Sequence, residues 1–246
     1  MVERGRGAAV PAALPYTAAV LSETGQVAPG VGELNPPRFL ATAPDGRRMA
    51  EVLEGGVITA KQAVAGGATV QGALSSGGSR LVADVLTVMA DTRRQVYHAD
   101  IIQRPTLGGY TRMLNTPSCS RCVLLAGKWF GWNKGFQRHP RCDCQHIPTS
   151  KALATESMLN PMEYFNSLSL AEQNKVFTKS GARAIRDGAD INRVVNRSGM
   201  KTVYSGRGRK RVSRLSVDDV YRVAGTRENA IRLLTQEGYI LPAFGR

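Results

Sequence analysis

Cysteines and histidines are the residues of this chain best suited to chemistry, and they are concentrated. All four cysteines of the 246-residue chain, and two of its three histidines, lie between Cys119 and His146. The stretch reads Cys119-Ser-Arg-Cys122, then His139-Pro-Arg-Cys142-Asp-Cys144-Gln-His146. A C-x2-C turn lets two thiolates reach one tetrahedral ion at about 2.3 Å each. His139, Cys142, Cys144 and His146 offer the remaining ligands, which leaves more candidates than a four-coordinate ion needs. The expected set is Cys119, Cys122, Cys142 and Cys144, with His139 as the substitute. A closed shell of that kind is structural rather than catalytic, and soft thiolates favour zinc. Without export the thiols stay reduced, so metal ligation explains the clustering better than disulfides do. Trp129, Trp132 and Phe136 are expected to form a miniature core against the cysteine turn.

Catalytic readings of the same residues fit less well. Zinc deaminases place H-x-E ahead of P-C-x-x-C. Here His98-Ala-Asp100 precedes Pro117-Ser-Cys119-Ser-Arg-Cys122, with aspartate for glutamate and Ser118 inserted. The shorter side chain displaces the acid/base group, and Cys142 and Cys144 are left without a role. A treble-clef or HNH-type nuclease lacks the adjacent histidine or asparagine that completes a metal-plus-base pair. No Ser/His/Asp set or phosphate-binding G-x-x-x-x-G-K-[ST] loop stands out. The expectation is a non-enzymatic protein without a small-molecule substrate.

The elements that must hold this module are mostly helical. Residues 1–47, rich in Ala, Pro and Gly, are expected to be an extended or disordered arm with at most one short helix near Tyr16–Ser22. Residues 48–105 form a helical assembly region, carried by Val52, Leu53, Val57, Ile58 and Val64 and then by Leu81, Val82, Val85, Leu86 and Met89. Gly66-Gly67 and Gly77-Gly78 are expected to break it, and Pro105 to end it. Residues 106–150 show no helical period and are expected to be loops and short strands around the Cys/His cluster, ordered by metal. Residues 151–246 turn helical again. Ser169-Leu-Ala-Glu172 has capping-box spacing, and the helix it starts is expected to run through Val176, Phe177, Ala184 and Ile185 to near Gly188. Ile191, Val194 and Val195 begin another helix, and Ser216 and Thr226 cap two more. The expected class is mainly α: helical N- and C-terminal parts flanking an irregular Cys/His module with short strands.

Charge adds a partner. Lysine and arginine total 33 against 19 acids, a formal net charge of +14. Such a surplus favours a polyanion, because basic side chains release counterions from nucleic acid. The loop 197–214 carries Arg197, Lys201, Arg207, Arg209, Lys210, Arg211 and Arg214 without one acid. It reads either as a solvated loop or as an arm contacting DNA phosphates. No apolar run approaches the ~20 residues that span a bilayer, and Met1–Pro15 lacks the apolar core of a signal peptide.

Taken together, Cys119-Ser-Arg-Cys122 and His139-Pro-Arg-Cys142-Asp-Cys144 resemble the C…C…HPxCxC pattern of the phage Mu F-like minor head, or head morphogenesis, proteins. Tyr164-Phe165, Leu168 to Gln173, Ala184 to Asp190, Val194-Val-Asn196 and Ala230 to Leu234 with Gly238-Tyr-Ile240 are similar to the C-terminal part of such proteins in phages of actinobacteria. The likeness covers roughly residues 48–240. It implies a minor capsid protein made in the host cytoplasm and carried in the virion interior. Its expected partners are the portal protein, other capsid proteins and packaged double-stranded DNA, with no membrane. Some members are fused to a capsid maturation protease, but no catalytic set for that activity is found here. A zinc-dependent nucleic-acid enzyme and a small DNA-binding regulator are the alternatives.

Overall fold

A computed structural model describes residues 2–116, 118–135, 142, 144–154, 160–197, 202–205 and 210–241. The protein is mainly helical with a small three-stranded sheet, as the residue pattern implies. It divides into two compact units.

The first unit comprises Met1–Asn115 and Gly127–Met158. Its spine is α4 (Val70–Ile102), with α3 (Met49–Ala65) folded back on it. The two helices part at Gly66-Gly67, as expected, but Gly77-Gly78 lie inside α4. Those glycines serve a close crossing. A Cβ on Gly77 would meet the Gly56 carbonyl at 2.7 Å and the Ala60 methyl at 2.9 Å, so only glycine lets the backbones approach this far. Packing gained at the crossing offsets the ~1 kcal/mol that a mid-helix glycine costs against alanine. Thr69 caps α4 by accepting the Gly72 N–H, and the helix stops before Pro105.

The first 47 residues are not an extended arm. They form α1 (Val2–Ala13), α2 (Tyr16–Glu23) and a 3-10 turn at Pro36–Leu40, and α1 packs along α4. Val10 and Ala13 are buried with Val96 and Tyr97. Arg6 is fully buried as well, donating to the Thr92 hydroxyl at 3.2 Å and to the carbonyls of Phe39 and Thr42. Burial pushes its guanidinium below the usual arginine range, with Glu3 opposing. Composition gave no sign of this docking, because the apolar partners of α1 lie on a helix far along the chain.

Three strands follow: β1 (Gly109–Met113), β2 (Trp129–Gly131) and β3 (Gln145–Pro148), in the order β2-β1-β3, all antiparallel. β1 is central and pairs Gly109 with Gly131, Thr111 with Ile147 and Arg112 with His146. A Cβ on Gly109 would stand 2.2 Å from the Phe130 carbonyl, inside the space the Trp129 ring also fills. Trp129 donates its indole N–H to Thr149 at 2.9 Å. The core here is Leu21, Ala28, Ile101, Leu107 and Tyr110 with Phe130 against it. The expected Trp129–Trp132–Phe136 core is therefore corrected: Trp132 is half exposed, and Phe136 lies outside the described residues.

The second unit comprises Thr116–Ala126 and Leu159–Arg246. It holds α5 (Ser120–Leu125), α7 (Pro161–Ser167), α8 (Leu170–Phe177), α9 (Lys179–Arg186), α10 (Ile191–Arg197), α11 (Val217–Val223) and α12 (Arg227–Gln236); α6 (Lys151–Ala154) belongs to the first unit. The span 106–150 is thus shared between units, because α5 packs on α7 and α10 while the strands pack on α4. The Ser169–Glu172 capping box is present. The single helix expected to run to Gly188 is interrupted at Thr178, whose φ of 66° lies where a β-branched residue is strained. Its hydroxyl accepts the Gly181 N–H at 3.1 Å and so starts α9 afresh. Phe165 and Phe177 pack edge to face at 5.2 Å between centroids, and Val194, Val220, Ala230, Leu234 and Tyr239 complete the core.

Asp187, at the end of α9, ties this unit together. It accepts from the Tyr221 hydroxyl and from Arg227 Nε, each at 2.8 Å. Burial works to raise its carboxyl, but the hydrogen bonds from Arg227 and Tyr221 outweigh it, and the group sits below the usual carboxylate value. A depressed carboxyl stabilises the fold above its unfolded-state value and loses that contribution as pH falls through the folded one. Asp187→Asn should therefore cost about 1–3 kcal/mol at neutral pH, with the difference from wild type vanishing well below pH ~4. Thermal unfolding of both proteins across that range checks it; a difference independent of pH would refute the carboxylate's role.

Candidate metal centre

Each half of the cysteine cluster is positioned by a local device. Cys119 is the N-cap of α5, its sulfur accepting the Cys122 backbone N–H at 3.4 Å. That turn brings the Cys119 and Cys122 sulfurs to 3.4 Å from each other, Cys119 partly buried and Cys122 buried. Cys142 and Cys144 are buried just ahead of β3. None of the four is in a disulfide.

The Cys142–Cys144 segment is held by two arginines from elsewhere in its unit. Arg94 of α4 donates Nε to the Cys144 carbonyl at 2.8 Å, and its Nη2 donates to the Cys142 carbonyl. Its Nη1 pairs with Asp91 at 2.6 Å, both side chains buried. Arg112 of β1, fully buried, points Nη2 at the Cys142 sulfur, 3.2 Å away. A guanidinium against sulfur suits an anionic thiolate, the form in which cysteine ligates metal. Neither arginine stood out in the sequence, because the segment they hold is distant in the chain and a buried arginine looks like any other basic residue.

Three buried cysteines, Cys122, Cys142 and Cys144, lie close enough to bind a metal ion, their sulfurs all within 4.8 Å of one another. A tetrahedron with arms of ~2.3 Å has edges of about 3.8 Å, so the donor set fits a thiolate-bound ion. Among the described residues this group consists of cysteines alone. Cys119 stands beside it through Cys122. His139 lies outside the described residues. His146 is buried on β3, its ring stacked on Tyr110 at 4.1 Å between centroids.

The chain matches no protein-family model, no curated protein and no solved structure.

His98 and Asp100 do not assemble the acid/base pair their spacing suggested. Asp100 is buried in an ion pair with Arg104 at 3.2 Å. His98 faces His146 and Tyr110 across a cavity of about 440 Å³ that Asp91, Arg94 and Gln95 also line. Burial lowers its imidazole below the ordinary histidine value, and a backbone hydrogen bond with Trp132 partly opposes this.

The basic segment is more structured than a flexible loop. β4 (Thr202–Ser205) and β5 (Lys210–Ser213) pair antiparallel, with Ser205 opposite Lys210 and Tyr204 opposite Arg211. Lys201, Arg207 and Arg209 lie outside the described residues. Arg197 and Arg214 are engaged within the unit. Arg197 donates to the Gly238 carbonyl at 3.0 Å, and burial, together with Arg214 and Arg193, lowers its guanidinium. Arg214 approaches Glu237 at 3.9 Å and lies over the Tyr239 ring at 5.7 Å.

Proposed function

We propose that this chain is a structural component of a tailed-phage head, a minor capsid protein that sits with the portal and touches packaged DNA without reading its sequence. The observation that carries this reading is the order Cys119-x-x-Cys122…His139-Pro-x-Cys142-x-Cys144, which resembles the Mu F-like pattern, on a chain with net charge +14. Zinc is the ion proposed for the cysteines, since it takes four thiolates in a closed tetrahedron and needs no redox partner. Cys119, Cys122, Cys142 and Cys144 would hold it, and it would supply cross-linking rather than catalysis. The closed thiolate donor set supports a structural role over the deaminase- or nuclease-like alternative.

The direct test is mass spectrometry of purified particles of a phage that encodes the chain. Its recovery from full heads at a few copies per portal is expected, and its absence from heads overturns the proposal. DNA contact has its own measure. With Arg197 and Arg214 engaged internally, the five cations left in the 201–211 segment give a slope of log K against log salt of about −4.5. Binding should show no preference between duplex sequences. A slope near zero removes this segment from the DNA interface, and strong sequence preference favours a regulator.

A further inference from the structure

The distal half of the α3–α4 hairpin has an apolar outer surface that none of the described residues covers. Val57, Ile58, Val64, Val70 and Leu74 are each more than half exposed. Val64, Val70 and Leu74 line one shallow groove with Ala60, Ala73 and Lys61. Lys61 is the only charged residue between Gly55 and Ser79. Those five side chains leave on the order of 350 Å² of apolar surface in water, which is in the range of functional patches. Covering that surface and its rim approaches the ~800 Å² per partner of a stable small interface.

The pattern on α3 says what covers it. Val52 and Gly56 face inward, while Ala50, Glu54, Val57, Lys61 and Val64 recur on the outer side at alternating spacings of four and three, the rhythm of a helix–helix seam. Glu54 and Lys61 are equidistant from the midpoint between Val57 and Ile58. Two copies of α3 laid antiparallel about a two-fold axis at that midpoint would set Val57 against the partner's Ile58 and Glu54 against the partner's Lys61, twice. The face is self-complementary in charge as well as apolar, which is what an isologous contact requires. We infer that α3 pairs antiparallel with α3 of a second copy of this chain, making it a homodimer through the hairpin.

Sedimentation velocity of the full chain at micromolar concentrations tests this. A dimer is expected. Val57→Glu should convert it to a monomer that keeps its helical content by circular dichroism, because the side chain is exposed and its replacement leaves no cavity. Glu54→Lys and Lys61→Glu should each weaken association by at least about tenfold, and the double exchange should restore it. A monomeric wild type overturns the proposal, and so does a dimer indifferent to Val57→Glu or a double exchange that stays monomeric. Wild-type monomer that co-sediments with phosphatidylcholine vesicles would assign the face to lipid instead.

Discussion

Cys142→Ser is expected to abolish metal binding and unfold the cysteine region. Elemental mass spectrometry of the reduced wild type should give one zinc per chain, and the variant none. Structural zinc in small peptides contributes on the order of 10–16 kcal/mol of apparent folding free energy, against a typical total stability of about 5–15 kcal/mol. Cys142 is a central ligand candidate: it is buried, grouped with Cys122 and Cys144, and has Arg112 at 3.2 Å from its sulfur. Serine keeps the size but offers a hydroxyl that binds zinc poorly and lacks the thiolate's charge. The region would lose both the ion and the anion that Arg112 faces. A chelator applied to the wild type should reproduce the loss of thermal stability and leave Cys142→Ser unaffected. A well-folded wild type without metal, indifferent to chelator, rules zinc out and leaves the region's order to β1 and its arginines. The head-protein proposal does not depend on that outcome, because particle composition tests it separately.

Local signals in the sequence carried through to the structure, and signals that depend on distant partners did not. Capping residues are local: Ser169 with Glu172, Ser216 and Thr226 each start a helix where their side chains meet backbone N–H groups three residues on. Pro105 ended α4 for an equally local reason. Gly77 misled because its meaning lies in Gly56, on another helix. The first 47 residues misled because Val10 and Arg6 find their burial on α4 and the 3-10 turn, which composition cannot reveal. The basic run looked like a loop because its two paired strands are short and polar. The cysteine spacing identified the candidate ligands. It could not show that Arg94 and Arg112 hold them, since those residues come from α4 and β1.

Arg94→Met is expected to destabilise the first unit by about 3–5 kcal/mol, the range for breaking a buried ion pair by removing one partner. Arg94 satisfies the Asp91 carboxylate and the carbonyls of Cys142 and Cys144 at once. Methionine fills similar volume, so the loss is electrostatic rather than a cavity. It takes the Arg94 charge away from a buried carboxylate and its N–H donors away from two carbonyls. Lysine should rescue only part, because one ammonium cannot reach a carboxylate and two carbonyls in the fixed fork of a guanidinium. Asp91→Leu combined with Arg94→Met should recover more than lysine does, since removing both charges removes the desolvation penalty with the attraction. Urea denaturation of the three variants orders them. Metal content separates two roles for Arg94 that stability alone cannot. If the variant folds at low temperature and keeps its zinc, Arg94 acts on the fold alone. If zinc is lost while the helices remain, the arginine positions the Cys142–Cys144 backbone for ligation, and the long helix α4 is then part of the metal site.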